Sequence, residues 1–524
     1  MSALGILVVG VLAIFLGSSS WVIAALCATL FIFKAVYQLI LYPRFFTPLK
    51  QIQTPPSRHW LTGNSNSYFI ETQYELMRGW LKDLPHNGLL RYYIVGNLEW
   101  VTVATPEALR EMLVTKAYDF AKPPVLRHST EGPLGIGLVL AEGEEHKAQR
   151  KVMLPAFSYR HIKDLCPLFW SKSVEMVGRI EESLTPGDNT VLVDDWAGRA
   201  TLDIIGEAGL GVEFRALQDP ENAMKQAYYQ LTAQPLSDKI LFLLALVFGL
   251  PQYVRSIPVP RNRVFKECYA LIRNAAGDVI RRKKAKPDEV NASTDIISVA
   301  LRSGVFDEKT LIDQAMTFLG AGHETTSTSF QWAVYVLCTH PDIQHRLRDE
   351  IRSSLPPISP GNAESISASM IEGLPYLNAF CNELLRFHPP IGRTVRVAVR
   401  DTTLVGKHIP KGTHFVLYPL VINRMEELWG PDADTFNPER FLAPGKANTG
   451  GATSNYGNMT FLHGPRSCIA QGFAKLELAC LVAATVGRFQ MELKNPDAEL
   501  KLRETITLAP KDGLPVRFTA LDGW

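Results

Sequence analysis

The N-terminal stretch of this chain constrains its organisation most, because it carries no charged side chain before Lys34. Residues 3–16 and 21–33 are two apolar runs, separated by one glycine and three serines. A membrane-spanning helix needs about 20 apolar residues, so the stretch is long enough for one tilted helix or for two short segments. A cleaved signal peptide is the alternative, but it would need a positive N-terminal region and a shorter apolar part. The sequence therefore predicts an N-terminal membrane anchor over residues 1–42.

The residues that follow the anchor predict its orientation and a linker. Positive charges follow the apolar stretch, at Lys34, Arg44, Lys50 and Arg58. The positive-inside rule then places the rest of the chain in the cytosol. Prolines at positions 43, 48, 55 and 56 cannot continue a helix, so residues 43–60 are predicted to form a stiff linker. Residues 61–524 are left as the body of the protein.

Composition excludes several classes of protein. Hydrophobic residues make up 46% of the 524 residues and charged residues 20%, which is typical of a folded chain and not of a disordered one. A net charge of only +2 argues against a nucleic-acid binder, whose affinity depends on clustered Lys and Arg. The seven cysteines are scattered and include no C-x-x-C pair. That pattern excludes a small disulfide framework and a zinc ribbon, and it fits a reducing compartment.

The periodicity of the body predicts a mainly α fold with a minor β portion. Two strand-like runs at 89–95 and 100–104 flank a Gly96-Asn97 turn. A second group of short strands is expected at 395–404 and near Leu417. Most of the remaining chain has a helical period. The apolar run 240–250 is too short to span a membrane, so it is either a buried core helix or a surface patch that dips into the bilayer.

The strongest chemical signal is one cysteine at the end of a loop with the sequence FLHGPRSC, residues 461–468. An amphipathic helix is predicted directly after it, over residues 469–488. A thiolate at a helix N-terminus is stabilised by the helix dipole and by unpaired backbone N–H groups. Gly464 permits a tight turn and Arg466 supplies a positive charge, which a buried anion needs. A plain core cysteine would require no glycine, arginine and aromatic residue at fixed offsets, so Cys468 is predicted to do chemistry.

The pattern F-x-x-G-x-R-x-C resembles the haem-binding signature of the cytochrome P450 family. Four other segments resemble landmarks of that family in the family's order: HKAQR at 146–150, AGHETT at 321–326, ELLR at 383–386 and FNPERF at 436–441. The resemblance extends over about residues 43–524. It implies a cytochrome P450 fold with a long central I helix and a haem between the I and L helices, behind the N-terminal anchor. The chain departs from the family pattern at His146, Asn423 and Ala470, where Trp, His and Gly are usual.

The resemblance assigns roles to residues of this sequence. It implies that the Cys468 thiolate is the axial ligand of haem b (iron protoporphyrin IX) and favours O–O cleavage. It implies that Glu324 and Thr325 deliver protons, with the carboxylate near solvent and the hydroxyl facing the iron. The remaining assignments are haem-propionate contacts by His146, Arg150, Arg396 and Arg466, a structural brace by Glu383, Arg386 and Arg440, and substrate contacts by Ile391 and Arg393.

Arg393 keeps two interpretations at this point. In the first, its guanidinium turns to solvent or assists a haem propionate. In the second, it recognises a carboxylate or carbonyl of the substrate, because most of its neighbours are apolar (Pro390, Ile391 and Val395) and a guanidinium is unusual among them.

The chain offers no electron source of its own, since it has no dinucleotide-binding G-x-G-x-x-G after a strand, no flavin segment and no cysteine cluster. The resemblance therefore implies a monooxygenase that uses NADPH through cytochrome P450 reductase, with cytochrome b5 as a second candidate partner. It implies residence in the endoplasmic reticulum membrane, with residues 61–524 as a cytosolic haem-thiolate domain. The expected substrate is a lipophilic small molecule, and the style of the chain resembles fungal members that tailor terpenoids, polyketides or alkaloids.

Two other functions remain open from the sequence. One is a haem-thiolate isomerase or dehydratase that acts without O2 or a reductase, although such enzymes typically lack the acid–alcohol pair. The other is a non-catalytic membrane haem carrier, which needs no proton relay.

Overall fold

The computed structural model describes residues 20–56, 59, 62–64, 73–124, 126–127, 135–232, 256–358 and 366–524. The chain divides into two compact units, each described by itself below. The smaller unit takes Met1–Ser129, Gln234–Asn262 and Arg393–Tyr418, and the larger takes Thr130–Ala233, Arg263–Gly392 and Pro419–Trp524. The apolar run 240–250 lies outside the described residues.

The smaller unit contains a five-stranded sheet with strand order β1-β2-β8-β5-β3 and a separate β6-β7 hairpin. Only the β2–β8 pair of the five-stranded sheet is parallel. Gly96 (φ 75°) and Asn97 (φ 52°) form the turn between β1 and β2, as the sequence predicted. The strands are β1 (Leu89–Ile94), β2 (Leu98–Val103), β3 (Phe120–Ala121), β5 (Thr394–Ala398), β6 (Thr402–Leu404), β7 (Lys407–Ile409) and β8 (His414–Leu417).

The helices of the smaller unit begin with α1 (Ser20–Val36), which passes directly into a π-helical segment, Tyr37–Phe46. No helix among the described residues is both long and apolar enough to cross a membrane, and residues 1–19 of the predicted anchor lie outside them. The other helices of this unit are α2 (Gln73–Asp83) and α3 (Pro106–Arg110), with a π-turn at Glu111–Thr115.

The prediction that the helix stops at Pro43 is wrong. Pro43 is buried inside the Tyr37–Phe46 segment, and the helical turn continues past it. The Thr47 N–H donates to the Tyr42 carbonyl over 2.9 Å, which is an i→i−5 bond. The wider π-turn accommodates the proline ring and its missing N–H, so the chain changes helix type instead of ending the helix.

The larger unit is mainly helical. A three-stranded sheet with order β4-β12-β9 and a β10-β11 hairpin accompany the helices. The strands are β4 (Thr190–Leu192), β9 (Phe489–Leu493), β10 (Leu502–Glu504), β11 (Leu508–Pro510) and β12 (Pro515–Ala520). The helices are α4 (Gly143–Met153), α5 (Tyr159–Asp164), α6 (Cys166–Ser183), α7 (Val193–Ile205), α8 (Ala223–Thr232), α9 (Pro260–Lys284, whose first residues belong to the smaller unit), α10 (Pro287–Ala292), α11 (Ile296–Arg302), α12 (Glu308–Thr339), α13 (Pro341–Ser354), α14 (Ala368–Glu372), α15 (Pro375–Phe387), α16 (Pro419–Ile422), α17 (Glu426–Trp429) and α18 (Gln471–Arg488). Short 3₁₀ turns at Leu154–Phe157, Pro438–Phe441, Asn455–Gly457 and Gly464–Arg466 and a π-turn at Gly206–Leu210 connect them.

Helix α12 confirms the long central helix that the resemblance implied. Its 32 residues pack against α7 and against α18. Gly322 faces α7, and a Cβ added there would stand 2.9 Å from the Ile205 side chain. A residue larger than glycine at this position would therefore require the Ile205 side chain to shift.

Helix α18 begins two residues later than predicted and is not amphipathic. Every residue from Leu476 to Gly487 is buried, because α6, α12, α13 and α15 surround it. Two arginines of α13 satisfy carbonyls at its C-terminal end. Arg348 donates to Val486 (3.1 Å) and Phe489 (2.8 Å), and Arg352 donates to the Gly487 carbonyl (2.8 Å).

Two glycines in α6 and α18 test this packing by the same substitution. An added Cβ at Gly487 would overlap the ring of Trp524, whereas at Gly178 it would meet open space. We expect Gly487→Ala to lower the free energy of unfolding by about 1–3 kcal/mol through overpacking. Gly178→Ala should raise it by about 0.5–1 kcal/mol, because alanine is the better helix former. Thermal melting of both variants checks the contrast, and equal shifts would contradict it.

Candidate active site

The Cys468 loop folds back on itself immediately before α18. Leu462 (φ 55°) and Gly464 (φ 77°) both adopt left-handed conformations, and the Gly464–Arg466 turn follows. The Cys468 N–H then donates to the Phe461 carbonyl over 2.9 Å. Glycine adopts such a φ without cost, which explains its place in the loop. The loop thereby presents the sulfur at the N-terminus of α18.

Cys468 differs in its exposure from five other cysteines of the described chain. The residue is exposed, although protein atoms crowd its thiol, whereas Cys166, Cys268, Cys338, Cys381 and Cys480 are buried or half-buried. Desolvation by the surrounding protein raises the pKa of the thiol, and the Ala470 N–H and the Arg150 charge act in the opposite direction. The φ of −96° at Ala470 suits alanine as well as glycine, so the departure from the family pattern causes no backbone strain.

Two of the predicted propionate ligands contact the Cys468 loop or the segment before α4. Arg150 donates to the Ser467 carbonyl over 2.7 Å and to its hydroxyl over 3.4 Å. The nearly buried Arg466 side chain forms an ion pair with Glu142. His146 is buried on α4, one turn before Arg150. Of these residues, Arg150 places a positive charge close enough to the sulfur to act on it electrostatically.

The other two predicted basic residues, Arg396 and Arg393, belong to the smaller unit. Arg396 is buried on β5 and donates to the Thr394 hydroxyl (3.0 Å) and the Val395 carbonyl (2.7 Å). Arg393 donates to Gln73 of α2 over 3.0 Å, a partner that the sequence did not predict. Ile391, the second substrate candidate, is half-buried in the larger unit.

Glu324 and Thr325 are consecutive residues of α12 with different partners. The Thr325 hydroxyl donates to the Ala321 carbonyl over 2.8 Å, one turn earlier. The Glu324 carboxylate accepts hydrogen bonds from Thr507 (2.9 Å) and Thr505 (3.3 Å). Burial raises the pKa of Glu324, and the two hydroxyls and the Arg503 charge partly offset that rise. The sequence predicted a carboxylate near solvent, whereas the structure places it half-buried against the β10–β11 hairpin.

Glu383, Arg386 and Arg440 form the predicted ionic cluster. Arg386 donates two hydrogen bonds to Glu383 (2.6 and 2.7 Å), and both side chains are inaccessible to solvent. Arg440 adds a third donor to Glu383 at 3.2 Å. The remaining Arg386 donors reach the carbonyls of Asn423 (2.8 Å), Ala433 (2.7 Å) and Thr435 (3.1 Å). A buried ion pair is favourable only when its other polar atoms are also satisfied, and this cluster meets that condition.

Asn423, a departure from the family pattern, connects this cluster to the Cys468 loop. It is fully buried, and its amide donates to the Arg386 carbonyl (3.0 Å) and to the Thr460 hydroxyl (2.9 Å). Its side-chain oxygen accepts from the Met459 N–H over 2.7 Å. The residue therefore fixes the backbone just before Phe461.

The donor set fits a haem held through sulfur. A haem-thiolate site needs a single accessible cysteine with N–H groups near the sulfur and cations for the two propionates. Cys468 is the accessible cysteine, and the Ala470 N–H lies near its sulfur. Arg466 lies on the Cys468 loop, and Arg150 contacts that loop from α4. The cytochrome P450 family model matches residues 55–515. The chain is a cytochrome P450.

Fungal relatives support the same family over nearly the whole length. This cytochrome P450 is 54% identical over 515 residues to the cytochrome P450 monooxygenase sphH of Aspergillus fumigatus, covering 97% of this chain and 95% of that protein. It is 38% identical to the cytochrome P450 monooxygenase FSL4 of Gibberella zeae, with 93% and 91% covered. It is also 38% identical to the cytochrome P450 monooxygenase FUM15 of Gibberella moniliformis, with 88% and 86% covered.

Several partners of the predicted residues in this cytochrome P450 carried no recognisable sequence signal. Thr505 and Thr507 are more than 180 positions from Glu324, and Glu142 is 324 positions from Arg466. Glu477 of α18 is fully buried and accepts from the Thr326 hydroxyl over 2.9 Å. Its burial raises the pKa of that carboxyl to about 8. An isolated Thr or Glu has no local pattern that could reveal such contacts.

Two Glu→Gln substitutions test the ionic cluster. Glu383→Gln leaves the buried Arg386 guanidinium without its counter-charge, whereas Arg440 keeps its ion pair with Asp432, so we expect the substitution to cost about 3–5 kcal/mol of unfolding free energy. Glu439→Gln removes a carboxylate from a half-exposed pair with Arg346 and should cost about 0–1 kcal/mol. Denaturant melts of both variants measure the difference. A small loss for Glu383→Gln would show that the cluster is not needed for stability.

Proposed function

We propose that this cytochrome P450, a haem-dependent monooxygenase that uses NADPH through a reductase, hydroxylates or otherwise oxidises a lipophilic small molecule of fungal secondary metabolism. For a hydroxylation the balance is RH + O2 + NADPH + H⁺ → ROH + H2O + NADP⁺. The observation that carries the proposal is the exposed residue Cys468 just before the N-terminus of α18. When bound there, the haem supplies the oxidising chemistry.

Glu324 and Thr325 are the residues that we assign to proton delivery. The reaction consumes protons inside a site that must exclude bulk water, so side chains have to carry them. Glu324 has a raised pKa because of burial, which brings it closer to neutral pH than a solvated carboxyl. The Thr325 hydroxyl is the next polar group along α12. The two residues form the acid–alcohol pair of the proposal.

His146, Arg150, Arg396 and Arg466 are the residues that we assign to the haem propionates. Planar guanidinium groups pair well with carboxylates. The Arg150 contact with Ser467 supports this role for one of them, since it places a cation one residue from the sulfur ligand. Glu383, Arg386 and Arg440 have no proton role in the proposal, and they brace the loop instead.

The substrate class in this proposal is a terpenoid, polyketide or alkaloid. Its support is the near-complete coverage of this chain by fungal monooxygenases. Ile391 and Arg393 stay predictions for substrate contacts. The bond from Arg393 to Gln73 gives its guanidinium one partner within the smaller unit.

The proposed cellular arrangement keeps three parts of the chain distinct. Residues 1–42 anchor the protein in the endoplasmic reticulum membrane, residues 43–60 link the anchor to the body, and residues 61–524 form the haem-thiolate domain facing the cytosol. Cytochrome P450 reductase is the proposed electron donor, with cytochrome b5 as a second partner. The uncharged N-terminus followed by positive charges supports this orientation.

Replacing the ligand cysteine tests the site. Cys468→Ala should abolish the thiolate-type spectrum of the carbon monoxide adduct and all product formation, because only a sulfur anion gives that spectrum. Cys268→Ala, at a half-buried cysteine of α9, is the matched control and should keep both.

Microsomes that contain the reductase should consume NADPH with substrate only when O2 is present. Turnover without O2 or reductase would indicate an isomerase or dehydratase, and haem binding with no turnover would indicate a carrier.

Deleting residues 1–42 tests the anchor. The shortened protein should move from the membrane pellet toward the soluble fraction and keep its thiolate-type spectrum, because the apolar stretch is removed and Cys468 is not touched. Incomplete release would assign additional lipid contact to the apolar run 240–250. A shortened protein that remains wholly in the pellet would contradict the proposed anchor.

A further inference from the structure

One face of α12 is occupied by the β10–β11 hairpin, residues 502–510. Glu324, Thr328 and Trp332 are four residues apart and therefore lie on the same side of the helix. Each of them contacts the hairpin. Thr328 donates to the Thr507 hydroxyl over 3.2 Å, and the Trp332 indole donates to the Leu508 carbonyl over 2.8 Å. The contacts of Glu324 with Thr505 and Thr507 complete the series.

The tip of this hairpin is fixed on both sides. Glu504 pairs with Leu508 at the end of the ladder, and the Thr505 N–H donates to the Thr507 carbonyl over 2.9 Å. The Leu508 N–H donates to the Pro390 carbonyl over 2.8 Å. These bonds hold the backbone that carries Thr505 and Thr507, and none of them involves Glu324.

The two threonine hydroxyls contact only one of the two carboxylate oxygens of Glu324. Both donate to Oε1, and within the described residues Oε2 accepts no hydrogen bond. Donors to one oxygen fix the plane of the carboxylate and favour its ionised form. The other oxygen is then the one at which a proton can be taken up and released.

Other groups around Glu324 carry little competing charge. Arg503, on the hairpin, is the cation that acts on this carboxyl electrostatically. His323, the preceding residue of α12, packs against Tyr228 with ring centroids 5.2 Å apart, and burial lowers its pKa to about 4. His388 stacks on Trp332, and burial together with nearby arginines lowers its pKa strongly. Both histidines are therefore neutral near pH 7.

We propose that Thr507, assisted by Thr505, is a positioning residue for proton delivery, which orients the Glu324 carboxylate so that Oε2 carries the proton. This inference rests on the proposed role of Glu324. It adds a function for the hairpin that the acid–alcohol pair alone does not contain. In this arrangement the hairpin hydroxyls do not touch the reacting atoms, and they act only through Glu324.

The first test measures the carboxyl itself and needs no turnover. Infrared difference spectra of the full-length holoenzyme, recorded against pH, follow the C=O band of protonated Glu324, which Glu324→Gln identifies by removing it. Thr507→Val should move the midpoint of this band to higher pH, because a donor to the carboxylate is lost. Thr507→Ser keeps the hydroxyl and should leave the midpoint unchanged. Thr519→Val makes the same change at an exposed position of β12 and is the matched control.

The second test measures how electrons are used in the reductase-coupled reaction. Uncoupled turnover follows NADPH + H⁺ + O2 → NADP⁺ + H2O2. The amounts of peroxide and of oxidised product therefore show how the consumed NADPH was used. We expect Thr507→Val to lower product per NADPH about fivefold, as for the loss of one hydrogen bond. The double variant Glu324→Gln/Thr507→Val should match Glu324→Gln alone, because the threonine acts through the glutamate.

The outcomes separate this inference from the proposed function. An unshifted infrared midpoint in Thr507→Val, or a double variant with fully additive losses, overturns the positioning role. Wild-type coupling in Glu324→Gln overturns the proton role of Glu324 and with it the catalytic meaning of the contact. Thr505→Val guards against misfolding as the cause, because Thr505 contacts Glu324 without contacting Thr328. It should shift the midpoint in the same direction as Thr507→Val, and no shift overturns the part assigned to Thr505.

Discussion

The buried pairing of Glu383 with Arg386 is the interaction on which the geometry of the site depends. Its charges neutralise each other away from water, and the spare donors of Arg386 hold carbonyls of three residues between 423 and 435. Asn423 connects this cluster by hydrogen bonds to Met459 and Thr460, the residues that precede the Cys468 loop. Buried charges are costly unless every polar atom finds a partner. The cluster therefore specifies one arrangement of the backbone around the sulfur ligand.

Short sequence patterns predicted the turns, loops and helices whose conformation depends on a few neighbouring residues. The Gly96-Asn97 turn, the tight loop at Gly464 and the helix after Cys468 follow from backbone preferences of a few neighbouring residues. The order of the five family landmarks predicted the fold class, which the family match confirms.

What the sequence did not predict depends on contacts between distant segments. The hydroxyls on Glu324 come from a hairpin about 180 residues later, and no spacing rule connects the two. Helix α18 was predicted to be amphipathic, but α6, α12, α13 and α15 pack around it and bury every residue from Leu476 to Gly487. Pro43 was predicted to stop a helix, since local rules do not include the change to a π-turn.

The arginine contacts at the far end of α18 have a consequence for its near end. A helix of 18 residues is about 27 Å long and nearly incompressible along its axis. Arg348 and Arg352 fasten its last carbonyls to α13. The C-terminal end of the helix is therefore fixed in position, and Cys468 lies three residues before its N-terminal end. Side chains with no contact to the sulfur thus help to set how far it projects, and a shift of α13 would move the metal ligand.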